Sequence, residues 1–161
     1  MTFQRFALLM GFGMLVVSQL AAAGSAGEVM MVDDPYIRAV PPGQPNSASF
    51  MSLHNNSEQD HALVGASSSA AEVVELHTHT MEEGMMRMRK VDKIDLPAGE
   101  KTSLKPGGLH IMLIGLKQKL VPDEDVAVTL EFDDGSTLKV DAPVRKLRMR
   151  MKPSDNKGHM H

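Results

Sequence analysis

Four side chains set the chemical question: His77, Met88, His110 and Met112, separated by ten residues, 21 residues and one residue. Two imidazoles and two thioethers are donors for a soft metal ion of low charge. Thioether sulfur is a weak, polarisable ligand that suits Cu(I) and offers little to Mg, Ca or Zn. Imidazole adds a stronger nitrogen donor. On a strand, His110 and Met112 project from one face, about 6–7 Å apart along the chain. His77 and Met88 flank the acidic, glycine-containing stretch "TMEEG", which can fold back and bring both to one rim. The set predicts Cu(I) held without burial beyond exchange, which suits delivery more than storage. It also avoids thiolates, which an oxidising compartment would convert to disulfide.

The same residues carry a plainer reading. Methionine fills irregular cores, and Met112 sits in an otherwise apolar strand. Met85 and Met86 read as core or rim, and His54 and His61 as surface residues. His79 shares a predicted face with His77, and a His-x-His pair on a strand can chelate Cu(II) or Zn(II). It stands between an additional ligand and a neighbour that only shares the face.

The elements that must position these residues read as short strands. "YIRAV" runs into a Pro-Pro-Gly turn, "SASFMSLHN" stops at Asn55-Asn56-Ser57, and "HALVGASS" follows. In "AEVVELHTH", Val74 and Leu76 alternate against Glu75, His77 and His79. "MMRMRKV", "DKIDLPAG" and "KTSLKPGG" are short and bounded by Pro or Gly, and "LHIMLIGLK" is the most apolar strand. "VAVTLEFDDGSTLKVDAPV" is a β-hairpin: Val126, Val128, Leu130 and Phe132 point inward and Asp134-Gly135 makes the turn. No window sustains a helical period. Closely spaced short strands predict an all-β, antiparallel sandwich or barrel.

With 161 residues, the chain predicts one domain. Residues 1–23 have a basic start, a short apolar run and small residues at the end. These mark a signal peptide, cleaved after Ala23 or Ala26; the alternative is an uncleaved anchor. Export implies an oxidising compartment, yet there is no cysteine, so thiol chemistry and thiolate metal sites are excluded. Residues 24–144 form the folded domain, with 10 Lys+Arg against 19 Asp+Glu. That acidic body argues against a nucleic-acid partner. Residues 145–161 form a basic, flexible tail with 6 Lys+Arg and one Asp. Its Met149, Met151, His159, Met160 and His161 are either a second set of donors, for Cu(II), or incidental.

The His77, Met88, His110-x-Met112 spacing matches the H-x10-M-x21-H-x-M signature of the PCu(A)C periplasmic copper chaperones. Flanking text agrees, in "IRAVPPGQPNSASFMSLHN", "VELH" and "LPAGEKTSLKPGGLHIMLIGLK". The chain therefore resembles that family from about Tyr36 to Val144. The resemblance implies a cupredoxin-like Greek-key β-barrel with an exposed Cu(I) site at one end. His77, Met88, His110 and Met112 are its implied ligands. It further implies periplasmic delivery of copper to a respiratory oxidase, as in cytochrome c oxidase assembly, with a thioredoxin-like assembly factor as collaborator. No stable membrane insertion is expected once the signal is cleaved.

Other functions compete. A copper buffer without a dedicated recipient would carry the same site. A blue-copper electron-transfer protein needs a cysteine thiolate, which is absent. A structural β-sandwich would use its methionines as core. An enzyme is not expected: no Gly-x-Ser-x-Gly elbow or His-Glu-x-x-His motif is present.

Overall fold

The computed structural model describes residues 24–146. The expected signal segment and the tail donors Met149, Met151, His159, Met160 and His161 lie outside the described residues. Ten strands follow a single helical turn, α1 (Ala26–Val29). They are β1 (Met30–Arg38), β2 (Asn46–Asn55), β3 (His61–Ser67), β4 (Ala71–Glu82), β5 (Met85–Lys90), β6 (Ile94–Leu96), β7 (Lys101–Leu104), β8 (His110–Leu116), β9 (Asp125–Phe132) and β10 (Thr137–Arg145). The all-β Greek-key expectation holds. The strand order is β5-β4-β8-β2-β1-β10-β9-β3-β6, with β7 also paired to β2. β1 and β10 pair in parallel, and the other ladders are antiparallel. The two ends of this path, β5 and β6, do not pair with each other, so the sheet is open.

One core runs between the two halves of the sheet. Leu53, Leu76, Ile111 and Leu113 face Leu63, Leu96, Val128, Leu130 and Phe132 within a single buried cluster. The inward alternation of Val126, Val128, Leu130 and Phe132 is the one expected, and all four are buried. β1 is longer than the sequence suggests and irregular. Register passes from Asp33↔Ser52 to Tyr36↔Phe50, so Asp34 and Pro35 stand against the single residue Met51. Proline has no N–H for the ladder, and Asp34 takes φ +48°. The resulting bulge turns Tyr36 outward and leaves Ile37 in the core.

The β9–β10 turn is tied to α1. Asp134 accepts the Ala26 N–H at 2.7 Å, the Ser136 N–H at 2.9 Å and the Ser136 hydroxyl at 2.6 Å. These bonds, led by that from Ala26, lower its pKa from 3.8 to about 2. A carboxyl whose folded pKa is depressed adds stability above its unfolded value and loses it as pH falls through the folded one. Wild-type stability should therefore decline between about pH 4 and pH 2, and Asp134→Asn should flatten that decline. Urea unfolding at stepped pH reads the difference.

Candidate metal centre

β5, β4, β8 and β2 lie side by side, and their register fixes which outward residues meet. His77 pairs directly with His110, and Glu75 with Met112. His79 pairs with Met88, and His77 with Lys90. Ala48 of β2 is the other neighbour of Met112, so the small side chain stands beside the larger one. Directly paired residues on one face have Cβ atoms about 4.5–5.5 Å apart. The four expected donors therefore share one face of three neighbouring strands. "TMEEG" does fold back: Glu83 at φ +50° and Gly84 at φ +79° make a tight turn of the kind that needs positive φ at both central residues. The turn sets Met88 opposite His79 rather than His77, one rung further out.

The imidazole nitrogens can be accounted for one by one. His110 Nδ1 bonds the Gly108 carbonyl at 2.9 Å, so that nitrogen carries the proton and donates. Its Nε2 then holds a lone pair, buried and without a partner. His77 Nε2 is 2.9 Å from Glu75 Oε2 and donates to it, leaving its Nδ1 buried and without a partner. Among the described residues these are the two buried side-chain polar atoms left unsatisfied. A buried acceptor with no donor costs about 1–3 kcal/mol, and a metal ion between the two would satisfy both. The rings are 5.9 Å apart between centroids.

Electrostatics favour a free lone pair on His110. His110 is 2% exposed. Burial, above all, pushes its pKa below the ordinary value, with His79 and His77 adding to the effect. Lys90 Nζ lies 2.8 Å from Glu75 Oε1. That bond, followed by the one from His77, holds Glu75 below the usual carboxylate range, so it stays an ionised acceptor. Phe50 flanks His110 at 6.2 Å and His79 stacks on it at 5.0 Å. Met88 is 45% exposed and Met112 is half-buried, so the face is open on the β5 side. Among the described residues, no three His, Asp or Glu side chains converge. A site here therefore depends on its thioethers.

Several residues fall elsewhere than expected. Met85 and Met86 are exposed, not packed, because β5 is an edge strand with all six residues in solvent. His61 is not a free surface histidine: its side chain is 9% exposed and its Nδ1 is 3.3 Å from Asp133. His54 lies in β2 between Met31 and Lys101, away from the face. The sequence reading missed the roles of Glu75 and Gly108, which orient the two imidazoles. The alternation in "VELH" placed Glu75 beside His77, and that was the available signal. A groove lined by Arg38, Pro41, Lys117, Leu120 and Val121 lies at the far end of β8. None of the four expected donors lines it.

Orienting carboxylates usually matter to ligand affinity by about 10–100-fold. Glu75→Gln should weaken metal binding by about tenfold through His77, with little change in the fold. Competition titration of the variant against wild type checks it.

The fold is that of PCuAC domains. The copper-bound PCuAC domain from PmoF2 superposes with a TM-score of 0.65, covering 76% of this chain and 97% of that one at 22% identity. The Cu(I) form of DR1885 from Deinococcus radiodurans gives 0.61, covering 77% and 83% at 38% identity. The model of the LpqE-like lipoprotein family matches residues 30–144. Lxx21020 of Leifsonia xyli subsp. xyli, named as a lipoprotein, is 35% identical over 86% of this chain and 85% of its own length. The chain belongs to the LpqE-like family. Its sequence has no cysteine to carry a thiol-linked lipid. Among the described residues no helix is long and apolar enough to cross a membrane.

Proposed function

We propose that this domain is a Cu(I) carrier whose ligands are His77 Nδ1, His110 Nε2, Met88 and Met112. The observation that carries the reading is the pair of buried, unpartnered imidazole nitrogens on one cross-strand rung. Two neutral imidazoles and two neutral thioethers match a soft monovalent ion. The Cu(I) form of DR1885, at 38% identity, supports the same metal. Glu75 and Gly108 hold the two rings in the tautomers that present their lone pairs.

The arrangement suits hand-over. Two nitrogens are fixed and buried, whereas Met88 sits exposed on an edge strand. A recipient can displace the weak, accessible thioether first and then take the ion by successive ligand exchange. The recipient in this reading is the copper centre of a respiratory oxidase, assembled with a thioredoxin-like factor. The setting is the periplasm, reached through the signal segment 1–23. The lipoprotein naming of Lxx21020 supports export.

Anaerobic Cu(I) titration against a competing chelator tests the site. Wild type should hold one tightly bound Cu(I), and Met112→Leu should bind it about tenfold more weakly, a loss near 1.4 kcal/mol. Leucine conserves volume, so the fold is retained. Equal affinity in the two proteins would remove Met112 from the site.

A further inference from the structure

The β4–β5 hairpin carries more sulfur than one site uses. Of the eight large apolar side chains exposed among the described residues, four are its methionines: Met81, Met85, Met86 and Met88. Met81, Met86 and Met88 share one face by register and alternation, with Met85 on the other. Along the paired rungs of the hairpin, the exposed large apolar residues of that face are all thioethers, so its common property is sulfur and not bulk hydrophobicity. Exposed apolar side chains gathered in one place generally mark a binding site.

Register orders these donors into rungs. His77 faces His110 in the first, His79 faces Met88 in the second, and Met81 faces Met86 in the third. Strand alternation keeps His77, His79 and Met81 on one face, with Met88 and Met86 beside them. Paired Cβ atoms lie about 4.5–5.5 Å apart, and successive rungs are about 7 Å apart. Two methionine side chains at that separation can converge on one ion. Met81 is 69% exposed and Met86 57% exposed, so this third rung is open to an incoming ligand.

A second feature joins the rungs. The Met86 methyl lies 3.7 Å from where a side chain on residue 107 would begin, and residue 107 is glycine at φ +80°. Met86 thus reaches over the Gly107–Gly108 turn. The Gly108 carbonyl there accepts His110 Nδ1 and lies 3.5 Å from His79 Nδ1. Met86, one of the two outermost sulfurs, leans toward the turn that orients the innermost ligand.

We propose that Met81 and Met86, continued inward by His79 and Met88, form a second, outer station for Cu(I). This rests on the assignment of the inner site to His77, Met88, His110 and Met112. The outer station binds weakly because it has only thioethers at its tip. Copper passes between it and the inner site by ligand exchange at the shared rung of His79 and Met88. No change of oxidation state is involved. Holding the ion about two rungs away raises its effective concentration at the inner site.

The test is anaerobic Cu(I) titration of the protein carrying 13C-methyl methionine, read by NMR, on wild type and on Met81→Leu/Met86→Leu. Both positions are exposed, so the double variant keeps its fold and the apolar character of the surface. In wild type the first equivalent should shift the Met88 and Met112 methyls, and the second should shift Met81 and Met86. The double variant should lose the second equivalent on the hairpin, keep the affinity of the first, and release Cu(I) to a chelator several-fold more slowly. If Met88 and Met112 respond while Met81 and Met86 do not, the outer station falls and the inner site stands. If Met81 and Met86 respond without Met112, the inner assignment falls and the relay with it. Equal stoichiometry and release rate in the two proteins would also overturn the proposal.

Discussion

His110→Asn should lower Cu(I) affinity by about 100-fold or more, a loss of about 2.8 kcal/mol or greater. Two of the four proposed donors are weak thioethers, so each imidazole carries a large share of the binding. His110 is the donor whose geometry is most restricted: its Nδ1–H is bound to Gly108, its ring is flanked by Phe50 and His79, and its Nε2 is buried. Little reorganisation is needed to present that lone pair. Asparagine cannot place a nitrogen there. His77→Asn should weaken binding comparably, since His77 supplies the other buried lone pair. Thermal unfolding of the apo variants separates lost ligation from lost fold. Affinity within about threefold of wild type in both would contradict the assignment.

Leu113→Ala should destabilise the domain by about 3–4 kcal/mol. Leu113 is fully buried on the strand that carries His110 and Met112, and it points to the opposite side of the sheet. Its backbone partners are Val74 of β4 and Ser47 of β2, so it sits beneath the donor face. Truncation removes a transfer contribution and leaves a cavity that neighbouring strands cannot close. Total stability for a domain of this size is about 5–15 kcal/mol, so the loss is a large part of it. Urea unfolding of the apo protein reads it. Saturation with Cu(I) at about 100 times the dissociation constant should restore about 2.7 kcal/mol, if the metal binds the folded state alone. A loss below about 1 kcal/mol would show that Leu113 is not a packing centre.

The strands that hold the donors were legible in the sequence because alternation is a local signal. Val74 and Leu76 against Glu75, His77 and His79 sorted correctly into two faces. The alternating apolar residues of "VAVTLEF" placed one wall of the core, and Asp134-Gly135 placed its turn. Register between β4 and β8 was not legible, since it depends on pairing between distant segments: nothing local says that His77 meets His110. The pairing of Met88 with His79 is a local matter, fixed by the two-residue turn at Glu83-Gly84, and "TMEEG" was read only as able to fold back. The bulge at Asp34-Pro35 was missed for a related reason: Pro35 looks like a strand boundary until Ile37 is seen to need the core. Met85 and Met86 read as core or rim because methionine serves in both places. β5 is an edge strand, and edge position is a property of the whole sheet order.

X-ray absorption at the copper edge, on the protein loaded anaerobically with one equivalent of Cu(I), reads the ligand shell itself. A mixed shell of imidazole nitrogen and thioether sulfur is expected, with the sulfur contribution reduced in Met112→Leu and the imidazole contribution reduced in His110→Asn. A shell of nitrogen and oxygen alone, unchanged by Met112→Leu, would contradict the assigned site.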